Sequence, residues 1–191
     1  MKYLYINGNE NNIRLVEIED IISNLIYFSV SENTLKTISD CNSNKITALR
    51  LTGSGLTEIP DLSKFIKLTK LTIYNNPKIA NIDNISKIVN LENLELTNTN
   101  LHERMINFSN LNNLIYLDLR NNRLWSEDLE NLKALKNNIN LTIDLSNNSI
   151  IDATALLELD SSTKINLSNN VNLSQDSKDK LKAKFGNNVM F

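Results

Sequence analysis

The feature that most constrains this chain is a pair of apolar residues, one apart, that returns at a nearly fixed interval. The pairs are Leu4/Ile6, Phe28/Val30, Leu49/Leu51, Leu71/Ile73, Leu94/Leu96, Leu117/Leu119, Ile143/Leu145 and Ile165/Leu167, with spacings of 24, 21, 22, 23, 23, 26 and 22 residues. An apolar-x-apolar pair is a short strand with one face turned inward. Copies this far apart cannot be joined by a hairpin, so neighbouring strands pair in parallel through a crossover. Stacked units of this kind form a right-handed solenoid of about eight strands, in which each unit buries its apolar side only against its neighbours.

A second column runs beside the first. Three residues after each pair stand Asn9, Asn33, Ser54, Asn76, Thr99, Asn122, Asn148 and Asn170, so six of the eight units carry asparagine there. This accounts for part of a composition with 34 Asn, 30 Leu and 22 Ile against 4 Gly and 2 Pro. An amide turned into the interior can satisfy backbone N–H and C=O groups that would otherwise be buried unpaired, so the column reads as structural. Apolar residues also precede the pair by three, as at Leu25, Ile46, Leu68, Leu91 and Leu114, and follow the asparagine, as at Leu35, Leu56, Leu101, Leu124 and Ile150. The crossovers repeat apolar residues at spacing three, as in Ile82, Ile85, Ile88 and in Leu129, Leu132, Leu135, which predicts 3₁₀ or short helical turns.

The unit L-x-x-L-x-L-x-x-N-x-L resembles the leucine-rich repeat, and the stretch from Leu114 to Leu124 matches it position for position. The resemblance covers roughly residues 22 to 173, and the spacing is most similar to bacterial internalin-type repeats. It departs at Ser54 and Thr99, which replace the asparagine, and at Asn140 and Ser162, which stand where a leucine is expected. Asn11 does the same in the first unit. After Asn76 and Asn170 the next apolar residue comes one position late, which predicts a bulge and a looser unit.

The chain reads as one leucine-rich-repeat domain over 1–191. Residues 1–24 form a degenerate first unit or N-terminal cap, 25–173 the repeats, and 174–191 a C-terminal capping helix and tail. Ser174 suits an N-cap, Asp176 the first turn, Lys178 to Lys184 the later turns and Gly186 the stop, with Leu181 and Phe185 facing the last repeat. Val16–Ile22 reads as a crossover helix. Nothing precedes the strand at Tyr3 to cover its edge, so a preceding segment or a partner is expected there.

The inventory argues against several classes of function. A net charge of -2 gives no general field for nucleic acid or an anionic membrane. No apolar run approaches the ~20 residues of a membrane helix, and residues 1–7 lack the regions of a signal peptide. His102 is the single histidine and Cys41 the single cysteine, and they lie in different units, so no nucleophile–base pair, metal site or cofactor site is expected. Trp125, in the unit with the 26-residue spacing, reads as packing for the longer crossover, with an exposed anchor as the alternative.

The outward side of the sheet is the informative surface. Residues flanking the core pair form four columns, the fourth being Gly8, Glu32, Gly53, Asn75, Asn98, Asn121, Asn147 and Asn169, and all five tyrosines fall on these columns. Tyrosine suits both strands and interfaces. Candidate partner-binding residues are Tyr27, Arg50, Lys70, Tyr74, Glu95, Tyr116, Asp118, Arg120 and Asp144. Glu95, Asp118 and Asp144 should stand about 5 Å apart on adjacent strands, with Arg120 beside them as a screen. The expected function is a non-catalytic module that binds a protein partner on the concave sheet. The internalin resemblance implies a bacterial surface or secreted adhesin or effector, with any signal peptide missing from this chain. An intracellular regulatory scaffold and an accessory domain of a larger enzyme are the alternatives.

Overall fold

The computed structural model describes residues 3–5, 27–30, 46–52, 57–59, 61–79, 81–102 and 107–191. Nine strands lie in one sheet in chain order: β1 (Tyr3–Tyr5), β2 (Tyr27–Val30), β3 (Ala48–Thr52), β4 (Lys70–Tyr74), β5 (Asn93–Thr97), β6 (Tyr116–Asp118), β7 (Thr142–Asp144), β8 (Lys164–Asn166) and β9 (Val189–Met190). All are parallel, and Leu4, Phe28, Leu49, Leu71, Leu94, Leu117, Ile143 and Ile165 stand opposite one another in register. The apolar pairs therefore align as their spacing requires, in a right-handed leucine-rich-repeat solenoid.

The ninth strand is additional to the eight pairs. Val189 takes the inward place opposite Ile165, and Leu167 N–H donates to Met190 O at 2.8 Å. The residues expected as a tail thus extend the sheet.

From β3 onward the inward pairs are buried, together with Phe65, Phe108 and the crossover rows. The crossovers contain 3₁₀ turns at Asp83–Lys87, Glu127–Leu135 and Thr154–Glu158. With three residues per turn, i and i+3 eclipse, so Ile82, Ile85 and Ile88 present one apolar row to the sheet, as do Leu129, Leu132 and Leu135. The 26-residue spacing is taken up by the longest of these turns, nine residues from Glu127 to Leu135.

The departures from the motif have local causes. Leu68, Leu91 and Leu114 are buried three residues before their pairs, whereas before β7 and β8 the buried position moves to Leu141 and Thr163. Asn140 adopts a left-handed φ of 59°, a conformation leucine resists. The units with a late apolar residue accommodate it locally. Ile79 N–H donates to Asn76 O and Leu173 N–H to Asn170 O, so the extra residue is absorbed in a closed turn, and both side chains are buried.

The last unit is followed by α1 (Gln175–Phe185), which packs on the Thr154–Glu158 turn. Ser174 accepts from Ser177 N–H, and Gly186 ends the helix at φ 55°. Leu181 and Phe185 are buried, and Ser177 Oγ donates to Asp152 while accepting from Ala153 N–H. The expected crossover helix at Val16–Ile22, together with Cys41, Asn9, Asn33 and Ser54, lies outside the described residues.

Candidate functional site

Two adjacent asparagine columns hold the outward face in place, for different reasons. Asn122 Nδ2 donates to the carbonyls of Leu96, Leu119 and Arg120, while its Oδ1 accepts from Thr99 N–H at 2.9 Å and Thr99 Oγ1 at 3.0 Å. Asn148 repeats this one unit on, donating to Leu119, Leu145 and Ser146 carbonyls and accepting from Asn122 and Leu124 N–H. Asn170 donates to Leu145 and Leu167 carbonyls and accepts from Ile150 N–H. Asn76 donates to the Leu51 and Tyr74 carbonyls.

Among the described residues, the one before each ladder position, on the fourth outward column, has positive φ: Asn75, Asn98, Asn121, Asn147 and Asn169 lie between 55° and 61°. Asparagine tolerates this left-handed conformation better than most side chains. That column is therefore set by backbone geometry as well as by exposure. Its signal in the sequence is the Asn-Asn doublet at 75–76, 121–122, 147–148 and 169–170.

Several outward side chains on β4 to β6 and just past β7 are covered although they alternate with core residues. Thr72, Thr97, Asp118 and Ser146 are all under 9% exposed, as expected where side chains crowd on the inside of a curved sheet. Thr72, Thr97 and Ser146 help line an open polar depression of about 520 Å³, with Arg50, Tyr74, Glu95, Arg120, Asn121, Asp144, Asn147 and Asn166. Tyr74 is 39% exposed. Tyr116 is half-buried on a neighbouring, more apolar depression toward β9.

The register puts Glu95, Asp118 and Asp144 on adjacent strands. Lys70 Nζ pairs with Glu95 at 2.7 Å, and Arg120 Nε lies 3.0 Å from Asp118 Oδ2. The second approach is an ion pair without hydrogen-bond alignment, since that Oδ2 has no hydrogen-bond partner. Burial pushes the Asp118 carboxyl above its ordinary range; Arg120 N–H and guanidinium pull it back, while Asp144 and Glu95 add to the rise. Asp118 is 1% exposed, so of this pair only Arg120 is open to solvent. Asp144 Oδ1 accepts from Ser146 N–H and Oγ, and its Oδ2 accepts from Asn166 Nδ2. Arg50 is half-buried on β3, and Tyr27 keeps its place on β2, its side chain lying outside the described residues. Seven of the candidates thus gather on or beside the polar depression, with Tyr116 on the adjoining one and Tyr27 unplaced as a side chain.

Sequence reasoning missed a second cluster. Trp125 does not fill the long crossover: it is 52% exposed and stacks on His102 with ring centroids 4.3 Å apart. Asp128 Oδ2 lies 3.0 Å from His102 Nδ1 and accepts from Trp125 N–H at 2.7 Å. His102 and Trp125 each stand three places after their unit's ladder residue, Thr99 and Asn122, so motif register alone could have paired them. Among the described residues, no group of three or more His, Cys, Asp or Glu is placed to hold a metal ion, and no helix is long and apolar enough to cross a membrane.

The sequence matches no protein-family model and no curated protein. Solved structures do match the fold. A leucine-rich-repeat protein of Leptospira interrogans aligns with 76% of this chain at 21% identity and a TM-score of 0.57, and the chain spans 37% of that protein's length. Internalin C2 of Listeria monocytogenes aligns with 91% of this chain at 21% identity and a TM-score of 0.54, with 82% of its own chain covered. The fold is that of the leucine-rich-repeat proteins, internalin-like in its repeat.

Proposed function

We propose that this chain is a non-catalytic recognition module that grips a protein partner on the outward, concave face of its sheet. The observation that carries the reading is the polar depression across β3 to β8, where ordered side chains of both charges and an exposed tyrosine share one open surface. Crossovers cover the other side of the sheet. The nine strands span eight gaps of about 4.8 Å, roughly 38 Å, enough to present a standard interface. The two similar structures described above are of bacterial proteins, which supports a bacterial surface or secreted adhesin or effector.

The test uses the intact chain as bait and compares variants against the recovered partner. Tyr74→Ala and Tyr116→Ala should each weaken the complex by at least about 1 to 2 kcal/mol if these side chains are anchors. The reading fails if both bind like wild type while Trp125→Ala abolishes binding.

A further inference from the structure

Two depressions meet on the outward face, and two charged groups without an ion pair among the described residues, Arg50 and Asp144, stand at opposite ends of one row across it. The polar depression runs from Arg50 to Asn166, and a second of about 270 Å³ is bounded by Tyr116, Ile165, Lys164 and Met190. Asp144 and Asn166 line both. The row Arg50, Thr72, Glu95, Asp118, Asp144 crosses five adjacent strands in register. Within it Glu95 is paired with Lys70 and Asp118 with Arg120, whereas Arg50 and Asp144 have no ion-pair partner among the described residues. Asp144 is held only by neutral donors from Ser146 and Asn166, so its carboxylate can still take a cationic donor.

Two further observations bear on an occupant. Thr72 is 5% exposed, lines the depression between Arg50 and Glu95, and has no hydrogen-bond partner for Oγ1; Arg50 Nε has none either. The field at the other end is negative. The Tyr116 phenol is pushed above its ordinary value first by burial and then by Asp118, Asp144 and Glu95, with only Arg120 opposing.

Resting on the concave-face reading, we infer that the partner contributes an extended peptide segment laid across the strands, with a basic side chain on Asp144 and an acidic side chain on Arg50. An apolar side chain next to the basic one enters the pocket between Tyr116 and Met190. From β3 to β7 is four strand spacings, about 19 Å, which an extended chain covers in about six residues. Thr72 Oγ1 lies under the middle of that path and meets a polar group there. Lys164, on the rim of the apolar pocket, suits a carbonyl or carboxylate beyond the apolar residue. A segment of uniform charge meets a like charge at one end, so the face selects for orientation.

The experiment selects random 12-residue peptides displayed on phage against the intact chain and remakes the enriched peptides synthetically. Enrichment should favour Arg or Lys beside a large apolar residue, with Asp or Glu about six positions away. Asp144→Asn keeps the Oδ1 that accepts from Ser146 and gives up only the Oδ2 acceptor of Asn166, so with folding checked by thermal melt the affinity should fall at least about tenfold. Arg50→Glu combined with Asp144→Lys should prefer a peptide with its two charges exchanged. If enriched peptides lack the charge pair, or bind Asp144→Asn like wild type while losing affinity for Tyr74→Ala, the charge-paired segment is overturned and the concave-face reading stands. Peptides indifferent to both substitutions overturn both. Failure to enrich any peptide overturns the extended segment and leaves the face to be tested with a folded partner.

Discussion

The turns on either side of Asn122 solve the same problem with different chemistry. On the C-terminal side, Asn122, Asn148 and Asn170 form consecutive rungs: each amide takes N–H groups from the unit before it and returns a donor to that unit's strand carbonyl, Asn148 to Leu119 and Asn170 to Leu145. On the N-terminal side, Thr99 replaces the amide. Its hydroxyl is spent donating forward to Asn122, and the donation to the preceding strand that Asn76 makes to Leu51 has no amide to make it toward Ile73. The fold is continuous through both turns, with Thr99 fully buried. A repeat motif therefore specifies geometry more uniformly than it specifies stability, because nearest-neighbour terms differ from unit to unit.

The largest effect that could break this comparison is Asn122→Ala. It strips partners from Thr99 and from the Leu96 carbonyl, while the Leu119 carbonyl keeps Asn148, and should cost about 2 to 3 kcal/mol in chemical unfolding. A null result would mean that the ladder is decorative. Next, Asn147→Ala in the neighbouring column should cost about 1 kcal/mol from its left-handed φ, whereas Asn147→Gly should cost less. Thr99→Asn sharpens the contrast in the opposite direction. Restoring the missing donor should stabilise by about 1 kcal/mol, and destabilisation would show that the turn has no room for the amide.

The smallest effect concerns pH. Because the Asp118 carboxyl is raised in the folded chain, the folded form holds that proton more tightly than the unfolded one. Its contribution is greatest below the ordinary carboxylate range and is lost as pH rises through the folded value. Asp118→Asn removes that loss, so its melting temperature relative to wild type should rise from about pH 4 to pH 7. A difference that is flat across this window would contradict the raised value.

Strand register was legible from the apolar pairs because a period-two pattern fixes which side chains face inward, and a one-residue slip would expose all of them. The ninth strand was not. Val189 and Phe191 keep the pair spacing, 24 residues after Ile165, but Met190 between them is apolar too and Gly186 stands where an apolar residue precedes other pairs, so the alternation that marks the other strands is blurred. The pairing partners of Glu95 and Asp118 were only partly legible. Lys70 and Arg120 come from other columns, and which cation reaches which carboxylate depends on the twist and curvature of the sheet. The crowding that buries Thr72 and Ser146 has the same origin. Trp125 was misplaced because a longer crossover suggests more volume to fill, whereas leucines at spacing three already fill it.

The central claim is that a partner sits on the concave face. Hydroxyl-radical footprinting of the intact chain, with and without its partner, reads both surfaces in one experiment, since Tyr74, Trp125 and Met190 are all exposed and oxidisable. The account predicts that the partner protects Tyr74 and Met190 and leaves Trp125 as reactive as in the free chain. Protection of Trp125, with Tyr74 and Met190 unchanged, would contradict it.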